Sequence, residues 1–366
     1  MNIGIDGYEA NIENRVGIGR YAYEILIHLY PLVTKHDVIV FLPSRPRKDM
    51  PPETDHWHYR VVGPAKLWTF IGLPLAMREE HLDVMYSPTH YIPRFTSVPR
   101  VMAIMDLSYI KYPELFRAKD LYQLRNWTAY SAAKAAKIFT ISEASKNDII
   151  RQYAVPQSKV VVTYPGFTMT PITSVKHQPP KNYILSVGTL QPRKNYTRLI
   201  EAFSIFLKQS RQKFSDLQLV IIGKKGWLYE SILSAPEKYG IEDRVKFLDF
   251  VPDSELPSFY QHALCFALPS LYEGFGLPVL EAMAYKCPVV VSNVSSLPEI
   301  AGGAGIYVDP DNVGSIAGGL LIAVRQRNLV QGRQRVNAGL EQVKKFTWEK
   351  AAQKTLAVLE QIGGAS

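Results

Sequence analysis

Four charged side chains in the carboxyl half of this sequence have types and spacing that could do chemistry. Glu273 and Glu281 are separated by seven residues in the segment EGFGLPVLE, and Arg193 and Lys194 form an earlier basic pair. Carboxylates accept hydrogen bonds from hydroxyl groups, whereas a basic pair can hold an anion such as a phosphate. The two pairs together indicate a site for a ligand that carries both hydroxyl groups and an anionic group such as a phosphate.

The segment around the two glutamates predicts a loop that runs into a helix. Gly274 and Gly276 allow backbone N–H groups to approach a ligand closely. A proline and a run of helix formers from 279 to 284 follow, which predicts a helix start. We expect Glu273 on the loop and Glu281 within about two turns of the helix start, both facing one cleft. The alternative is a helix-dipole contact and a solvated helix residue.

Composition and the two cysteines restrict the class of protein. At 366 residues the chain is long enough for two domains of about 150 to 200 residues. The start MNIGID predicts a strand and no secretory signal, and no apolar run reaches the roughly 18 residues of a spanning helix. Cys265 and Cys287 lie in apolar runs without metal-ligand spacing, so we expect buried free thiols in a reducing cytoplasm.

The pattern along the chain predicts an α/β fold, because short β-branched runs alternate with helical stretches in both halves. The region from 164 to 183 holds four prolines and no apolar period, as expected of a linker. The predicted strands are Asn2 to Asp6, Asp37 to Leu42, Val84 to Ser87, Val101 to Met105, Ile138 to Ile141, Val160 to Val162, Tyr183 to Val187, Gln218 to Ile222, Val245 to Phe247, Cys265 to Leu268, Val289 to Val291 and Ile306 to Val308.

Several motifs of the carboxyl half resemble, in their order, those of the family-4 retaining glycosyltransferases with the GT-B fold. The resemblance covers essentially the whole chain, and the motifs are most similar to those of the mannosyl-transferring branch that builds bacterial surface polysaccharides. Besides the segment from 273 to 281, the motifs are Ser186 to Asn195, Leu219 to Gly223, Ala267 to Ser270, Pro288 to Asn293 and Leu297 to Glu299.

The resemblance implies two Rossmann-like, doubly wound domains that face each other across a cleft. Residues 1–168 would form the acceptor-side domain, with a terminal helix in 346–366 packing back on it. Residues 169–182 would be the linker, and residues 183–345 the domain that binds the nucleotide sugar. The carboxyl ends of both sheets would then meet at the ligand site.

The resemblance also assigns the donor site. Arg193 and Lys194, after Gly188, would contact the donor diphosphate, Glu273 the sugar hydroxyls and Glu281 the ribose. We expect a front-face displacement in which the leaving phosphate accepts the acceptor proton, with no nucleophilic role for Glu273. The backbone around the sugar and phosphates would be that of Gly274, Phe275, Gly276 and Leu277. No Asp-x-Asp string is identified as a metal-dependent diphosphate site, so we expect no metal and no other cofactor.

In the amino half, Gly17 and Gly19 precede a predicted helix start near Arg20, and its N–H groups could bind the same phosphates. The segment 8–15 before them reads as a mobile loop, and a plain surface turn is the alternative. Asp106 is a candidate for orienting the acceptor or assisting as a base, or else for capping a turn. Met105 stands where many relatives have a histidine, which leaves catalytic competence open.

Three further stretches have two interpretations each. The segment 66–77, KLWTFIGLPLAM, could face a membrane, hold a lipid-linked acceptor or pack in the core. His90 could substitute for the missing histidine or be structural, and the aromatic residues of the first domain could stack on sugars or fill the core. Ser142 is expected to cap a helix.

The function we expect is transfer of a hexose, first of all mannose from GDP-mannose, to a glycan or lipid-linked saccharide. The alternatives are a GT-B epimerase or phosphorylase, and a sugar-nucleotide-binding protein that has lost turnover. The 42 basic and 33 acidic residues give a charge of +9. Because no recognition helix, zinc finger or RNP-like string accompanies this charge, we expect no nucleic-acid partner. Peripheral contact with anionic lipid head groups fits it better.

Overall fold

The computed structural model describes residues 1–63, 65–172, 178–210, 214 and 216–365, and these form two compact units. The first unit comprises Met1–Gly166 and Phe346–Ser366, and the second comprises Phe167–Lys345. The chain therefore leaves the first unit after residue 166 and returns to it at residue 346. Residues 173–177 of the predicted linker lie outside the described residues.

The first unit is built on a parallel sheet of seven strands in the order β3-β2-β1-β4-β5-β6-β7. Its strands are β1 (Asn2–Asp6), β2 (Asp37–Leu42), β3 (Trp57–Val61), β4 (Val84–Ser87), β5 (Arg100–Ala103), β6 (Lys137–Thr140) and β7 (Val160–Val162). Its helices are α1 (Ile18–Leu29), α2 (Leu73–Met77), α3 (Ser108–Lys111), α4 (Ala118–Lys134) and α5 (Glu143–Tyr153), with a π-helical turn at Trp68–Gly72. As predicted, Ser142 caps α5, accepting from the N–H of Ser145 at 3.0 Å.

The second unit has a parallel sheet of six strands in the order β10-β9-β8-β11-β12-β13. Its strands are β8 (Tyr183–Val187), β9 (Gln218–Ile222), β10 (Val245–Leu248), β11 (Cys265–Leu268), β12 (Val289–Ser292) and β13 (Gly305–Val308). Its helices are α6 (Tyr196–Ser210), α7 (Glu230–Leu233), α8 (Ala235–Tyr239), α9 (Leu256–His262), α10 (Leu277–Ala284), α11 (Leu297–Ala301), α12 (Val313–Gln326) and α13 (Val330–Val343).

The predicted strands are confirmed to within two residues at each end, because their apolar runs are the buried centres of the two sheets. β3 was not predicted. It is an edge strand in which only Trp57 is buried, and its sequence WHYRV carries two polar side chains. The predicted free thiols Cys265 and Cys287 are both unpaired and buried.

The last helix, α14 (Trp348–Gly363), belongs to the first unit, where it packs on α1. The ring of Trp348 meets that of Tyr21 at 6.0 Å, edge to face, and His36 Nε2 lies 2.8 Å from Glu360 Oε1. Gly166 lies against the start of α14, since a Cβ atom there would be 2.1 Å from the backbone nitrogen of Trp348.

No helix within the described ranges combines the length and the apolar character that crossing a bilayer requires.

Gly166→Ala should destabilise the first unit, because the added methyl group would meet backbone atoms that cannot turn away. We expect a loss of about 1 to 3 kcal/mol, as for other overpacked positions. Gly63→Ala is the matched control, since a Cβ atom there has open space, and it should change stability by less than about 0.5 kcal/mol. Urea unfolding of both variants measures the difference, and equal midpoints would contradict this packing.

Candidate functional site

The sheet of the second unit has a pair of neighbouring strands after which the chain continues to opposite sides of the sheet. β8 and β11 are hydrogen-bonded neighbours, but the chain leaves β8 towards β9 and leaves β11 towards β12. Loops that follow such a pair separate at their carboxyl ends and leave a crevice, which is where open α/β sheets bind ligands. Arg193 and Lys194 lie on the short helical turn after β8, and Glu273 lies on the loop after β11.

These three side chains form a buried ion triad at that crevice. Lys194 Nζ donates to Glu273 Oε1 at 2.6 Å, and Arg193 Nη1 donates to Glu273 Oε2 at 3.0 Å. The exposed fractions of the three side chains are 14% for Arg193, 10% for Lys194 and 8% for Glu273. Two cations share one carboxylate, so the triad keeps a net positive charge. The basic pair and Glu273, predicted from separate motifs, therefore lie together.

The charge state of Glu273 follows from this arrangement. Burial raises its pKa, but Lys194 and Arg193, together with hydrogen bonds from Lys194 and Ser270, lower it more strongly. The pKa falls from the usual 4.5 to about 2. Glu273 is therefore a carboxylate at neutral pH and accepts hydrogen bonds rather than supplying a proton.

Serine side chains hold the Glu273 loop, a role that was not predicted from the sequence. Ser270 Oγ donates to Glu273 Oε1 at 2.7 Å, which orients the carboxylate. Ser295 Oγ donates to the carbonyl of Glu273 at 2.5 Å, and Ser296 Oγ donates to the carbonyl of Phe275 at 2.6 Å. Because these carbonyl groups accept hydrogen bonds from Ser295 and Ser296, the loop is fixed against the segment that follows β12. The consecutive serines before the Leu297-Pro298-Glu299 motif were the available signal.

Two of the predicted glycines have backbone conformations that favour glycine. Gly188 has φ +151°, and a Cβ atom there would lie 3.2 Å from Cε of Lys194. Gly276 has φ +112° and directly precedes α10, where a Cβ atom would lie 2.9 Å from Leu297. Gly274 and Phe275 precede it on the loop, and Leu277 is the first residue of α10. The predicted loop and helix are thus both present.

Glu281 lies on α10 in the predicted position but has a different partner from Glu273. Tyr260 on α9 donates its hydroxyl to Glu281 Oε2 at 2.6 Å, and the Tyr260 ring stacks on that of Tyr285 at 6.2 Å. Burial raises the pKa of Glu281, while the hydrogen bond from Tyr260 opposes the rise. Tyr260 was not predicted from the sequence, because only the fold brings it to a glutamate on the next helix.

Asp106 belongs to the first unit and caps a turn there. Its Oδ1 accepts from the backbone N–H of Ser108 at 2.8 Å, at the start of α3. The turn cap is one of the two roles that the sequence left open for Asp106, and this contact engages one of its two carboxylate oxygens. Nearby, burial lowers the pKa of His90 to about 4, although Asp106 acts in the opposite direction, so His90 is neutral at pH 7. Met105, which precedes Asp106, is partly exposed.

The glycines near the amino terminus differ in part from their prediction. α1 begins at Ile18, so Gly17 caps the helix with φ +52° and Gly19 lies inside its first turn rather than before it. A Cβ atom at Gly19 would lie 3.0 Å from the carbonyl oxygen of Glu9, so this glycine permits close packing. The preceding segment contains a 3₁₀ turn, and Asn11 anchors it to Arg45.

Asp6, at the carboxyl end of β1, is a buried carboxyl group whose environment was not predicted from the sequence. Its exposed fraction is 1%, and its Oδ1 accepts from Trp68 Nε1 at 2.9 Å and from the N–H of Tyr8 at 3.1 Å. Burial raises the pKa of Asp6 to about 6, although both hydrogen bonds act in the opposite direction.

An Asp-x-Asp string does occur in the sequence, at Asp309-Pro310-Asp311, and its role is local. The N–H of Asp311 donates to Asp309 Oδ1 at 3.0 Å, and Asp311 pairs with Arg198 at 3.3 Å. Within the part of the chain that the structure describes, no three His, Cys, Asp or Glu side chains are grouped so that they could hold a metal ion.

Comparison with known proteins matches both units to glycosyltransferases. The family model described as Glycosyl transferases group 1 matches residues 172–337, and the one described as Glycosyltransferase Family 4 matches residues 16–169. The O-antigen chain mannosyltransferase B of Escherichia coli is 31% identical over 313 residues, which cover 81% of this chain and 78% of that protein.

Two solved structures have the same fold at low sequence identity. Sucrose-phosphate synthase from Thermosynechococcus elongatus has a TM-score of 0.75 at 17% identity, with both chains covered completely. Anabaena Alr3699/HepE, in complex with UDP and glucose, has a TM-score of 0.68 at 19% identity, covering 98% of this chain and 99% of its own. With the two Rossmann-like sheets, these matches identify the fold as GT-B. The chain belongs to the group 1, family 4 glycosyltransferases.

Proposed function

We propose that this chain is a retaining, metal-independent glycosyltransferase that moves a hexose from a nucleoside diphosphate sugar to a hydroxyl group of a glycan or lipid-linked saccharide. GDP-mannose is the proposed donor, since the E. coli relative is named as an O-antigen chain mannosyltransferase. The epimerase and phosphorylase alternatives are not favoured, because the relatives are transferases.

The observation that carries this proposal is the ion triad at the β8 and β11 switch point. The triad retains a net positive charge on side chains that are at most 14% exposed, so a diphosphate is the ligand that its charge fits. As the bond between the anomeric carbon and the phosphate oxygen breaks, negative charge grows on the diphosphate. Arg193 and Lys194 would stabilise that charge in place of a metal ion.

Glu273 has two parts in this proposal. It holds the ammonium group of Lys194 and the guanidinium group of Arg193 in position, and its ionised carboxylate accepts hydrogen bonds from the hydroxyls of the donor sugar. The backbone of Gly274 to Leu277 meets the sugar and phosphates. Since the pKa of Glu273 is about 2, it does not act as a general acid at neutral pH.

Glu281 would bind the ribose, with Tyr260 fixing its direction. One carboxylate oxygen accepts from the Tyr260 hydroxyl, which leaves the other oxygen able to accept from a ribose hydroxyl. The base would lie near Phe250, a residue that is 60% exposed and has the ammonium group of Lys224 at 4.9 Å from its ring centroid.

The transfer step we propose is a front-face displacement. The anomeric carbon separates from the phosphate oxygen, the acceptor oxygen bonds to the same face, and the acceptor proton passes to the departing phosphate. Asp106 would orient the acceptor, and the α1 amino terminus after Gly17, with Gly19 in its first turn, would approach the phosphates. The chain would act in the cytoplasm at the inner face of a membrane, with no nucleic-acid partner.

Activity is tested with radiolabelled GDP-mannose, with and without oligosaccharide acceptors, in buffer containing EDTA. We expect transfer with retention of the anomeric configuration, and no loss of rate on chelation. Hydrolysis of the donor alone, or binding without turnover, would favour the alternative that Met105 suggests, a sugar-nucleotide-binding protein that has lost turnover.

The donor site predicts that Lys194→Ala and Glu281→Ala each abolish stabilisation by the donor. A ligand at 100 times its dissociation constant stabilises a protein by about 2.7 kcal/mol, which a thermal-shift panel of nucleoside diphosphate sugars detects. Lys208→Ala and Glu237→Ala are matched controls, because they remove exposed charges of the same unit. Unchanged shifts in both site variants would exclude this donor site.

Tyr260→Phe should weaken nucleotide binding without a matching change in the maximal rate. Loss of one hydrogen bond to a charged group is worth about 1.5 to 3 kcal/mol, so we expect roughly tenfold to hundredfold weaker affinity. Tyr183→Phe is the control, since its buried hydroxyl bonds to the carbonyl of Phe259 and does not contact Glu281. Calorimetric titration with GDP measures both, and equal affinities would show that Tyr260 does not position Glu281.

The lowered pKa of Glu273 predicts a specific pH dependence of the free energy of unfolding. Because this pKa is lowered on folding, the contribution of Glu273 to the free energy of unfolding is complete above pH 4.5 and is lost as the pH falls towards 2. At pH 7, Glu273→Gln should cost about 3 to 5 kcal/mol, as when one partner of a buried ion pair is removed. Urea unfolding from pH 7 to pH 2 should show this difference shrinking below pH 4.5, whereas the exposed control Glu237→Gln should differ little throughout. A difference that stays constant with pH would contradict the ion triad.

A further inference from the structure

The loop that follows β9 presents large apolar side chains to solvent, and we call residues 223–229 the β9 loop. Trp227 and Leu228 in this loop are 50% and 52% exposed. β9 lies beside β8 and parallel to it, so the β9 loop leaves the sheet at the same edge as the turn that carries Arg193 and Lys194. An exposed tryptophan therefore lies at the edge of the sheet where the ion triad is found.

Backbone contacts fix the β9 loop against the turn after β8. The N–H of Leu190 donates to the carbonyl of Lys224 at 2.9 Å, and the N–H of Gly226 donates to the carbonyl of Leu190 at 3.0 Å. A Cβ atom at Gly226 would lie 2.7 Å from Cγ2 of Thr189 and 2.8 Å from the carbonyl oxygen of Leu190, so a larger residue would disturb this contact. The residue before Trp227 is thus held against the turn that contains the basic pair.

The β9 loop also contains backbone strain that burial does not repay. Leu228 has φ +54°, in the left-handed region that large side chains rarely adopt, although the residue is exposed. Strained backbone conformations cluster at active sites and at loops that hold ligands. The strain at Leu228 therefore favours a role for this loop in binding.

The charged side chains of the β9 loop are all positive, because residues 223–229 contain two lysines and no Asp or Glu. Lys224 Nζ lies 4.9 Å from the centroid of the Phe250 ring, and Lys225 Nζ lies 5.3 Å from that of Tyr229. A pyranose ring has a face of C–H groups, which packs on an indole ring, and a rim of hydroxyl groups, which accept hydrogen bonds from ammonium groups. The side chains of the loop therefore fit a saccharide.

The position of the β9 loop indicates which saccharide it would meet. The donor sugar and the ribose are assigned to Glu273 and Glu281, which both follow β11 on the other side of β8. In a front-face displacement, the acceptor oxygen approaches the anomeric carbon from the side on which the phosphate departs. The acceptor therefore lies beside the residues that hold the phosphates, and the β9 loop is bonded to the turn that carries those residues.

We propose that the indole ring of Trp227 stacks on a sugar ring of the saccharide acceptor. This inference rests on the proposed function, because it takes the site at β8 and β11 to hold the donor. The nucleobase is the competing occupant, since Phe250 lies beside Lys224 of the same loop. Binding of the acceptor and binding of the nucleotide must therefore be measured separately.

Steady-state kinetics at saturating donor test the proposal. Trp227→Ala should raise the KM for the acceptor at least about tenfold and change kcat by less than about threefold, because the stacking contact is made before and during transfer. Trp227→Phe should keep this KM within about threefold of the wild-type value, since a phenyl ring still offers a face for stacking. The control Leu329→Ala truncates a residue of the second unit that is 52% exposed, and it should leave both constants unchanged.

Fluorescence gives a second readout that does not require turnover. Trp227 is the one tryptophan of the second unit, because the others, at positions 57, 68, 127 and 348, belong to the first. Titration with manno-, gluco- and galacto-trisaccharides in the presence of GDP should give a saturable change in tryptophan emission with at least one of them. Trp227→Phe should lose most of this change.

Calorimetric titration with GDP separates the acceptor from the nucleobase. Trp227→Ala should bind GDP with the wild-type affinity, whereas weaker GDP binding with an unchanged KM for the acceptor would assign Trp227 to the base and overturn the proposal. Equal acceptor KM values in Trp227→Ala and Leu329→Ala, or no saturable emission change with any trisaccharide, would also overturn it. Failure of the donor site would appear instead in Lys194→Ala and Glu281→Ala, so the two failures are distinguishable.

Discussion

The buried contact of Lys194 and Arg193 with Glu273 is the interaction on which the account of the site depends. Each ion would be costly to bury alone, because a charge taken out of water loses its hydration. Together they satisfy one another at 2.6 and 3.0 Å and keep a surplus of positive charge. A site of this kind is stable without ligand and still attracts an anion, so it need not be assembled when the anion arrives.

The sheet topology of the second unit makes this contact possible. The basic pair and Glu273 are 79 and 80 positions apart in sequence, and they meet because β8 and β11 are neighbours whose chains then diverge. Glycine at Gly188 leaves space for the Lys194 stem, and the hydroxyls of Ser295 and Ser296 hold the carbonyls of the opposite loop. The crevice is therefore a consequence of strand order, and the side chains that line it are positioned by contacts outside their own loops.

Most of the fold and part of the site could be predicted from the sequence. Strands buried on both faces have continuous apolar runs, which is why β8 and β9 were predicted at their observed bounds. β3 was missed because an edge strand such as WHYRV need not be apolar throughout. The segment EGFGLPVLE predicted its loop and helix because glycine and proline act locally.

Contacts between distant residues could not be predicted in the same way. The hydrogen bond between Tyr260 and Glu281 joins two helices, and the hydrogen bond from Trp68 to Asp6 joins residues 62 positions apart. The role of Asp106 was left open by its sequence context, and only its contact with Ser108 shows the cap. The sequence likewise did not show which side of the segment from 66 to 77 is buried and which is exposed.

The central claim, that the triad binds the diphosphate of a donor, is tested most directly by comparing two ligands that differ by one phosphate. Calorimetric titration of the wild type and of Lys194→Met with the diphosphate and the monophosphate of the nucleoside that binds gives four dissociation constants. The account predicts that the wild type prefers the diphosphate by at least about tenfold and that the variant loses this preference while binding the monophosphate nearly as before. An equal preference in both proteins would contradict it.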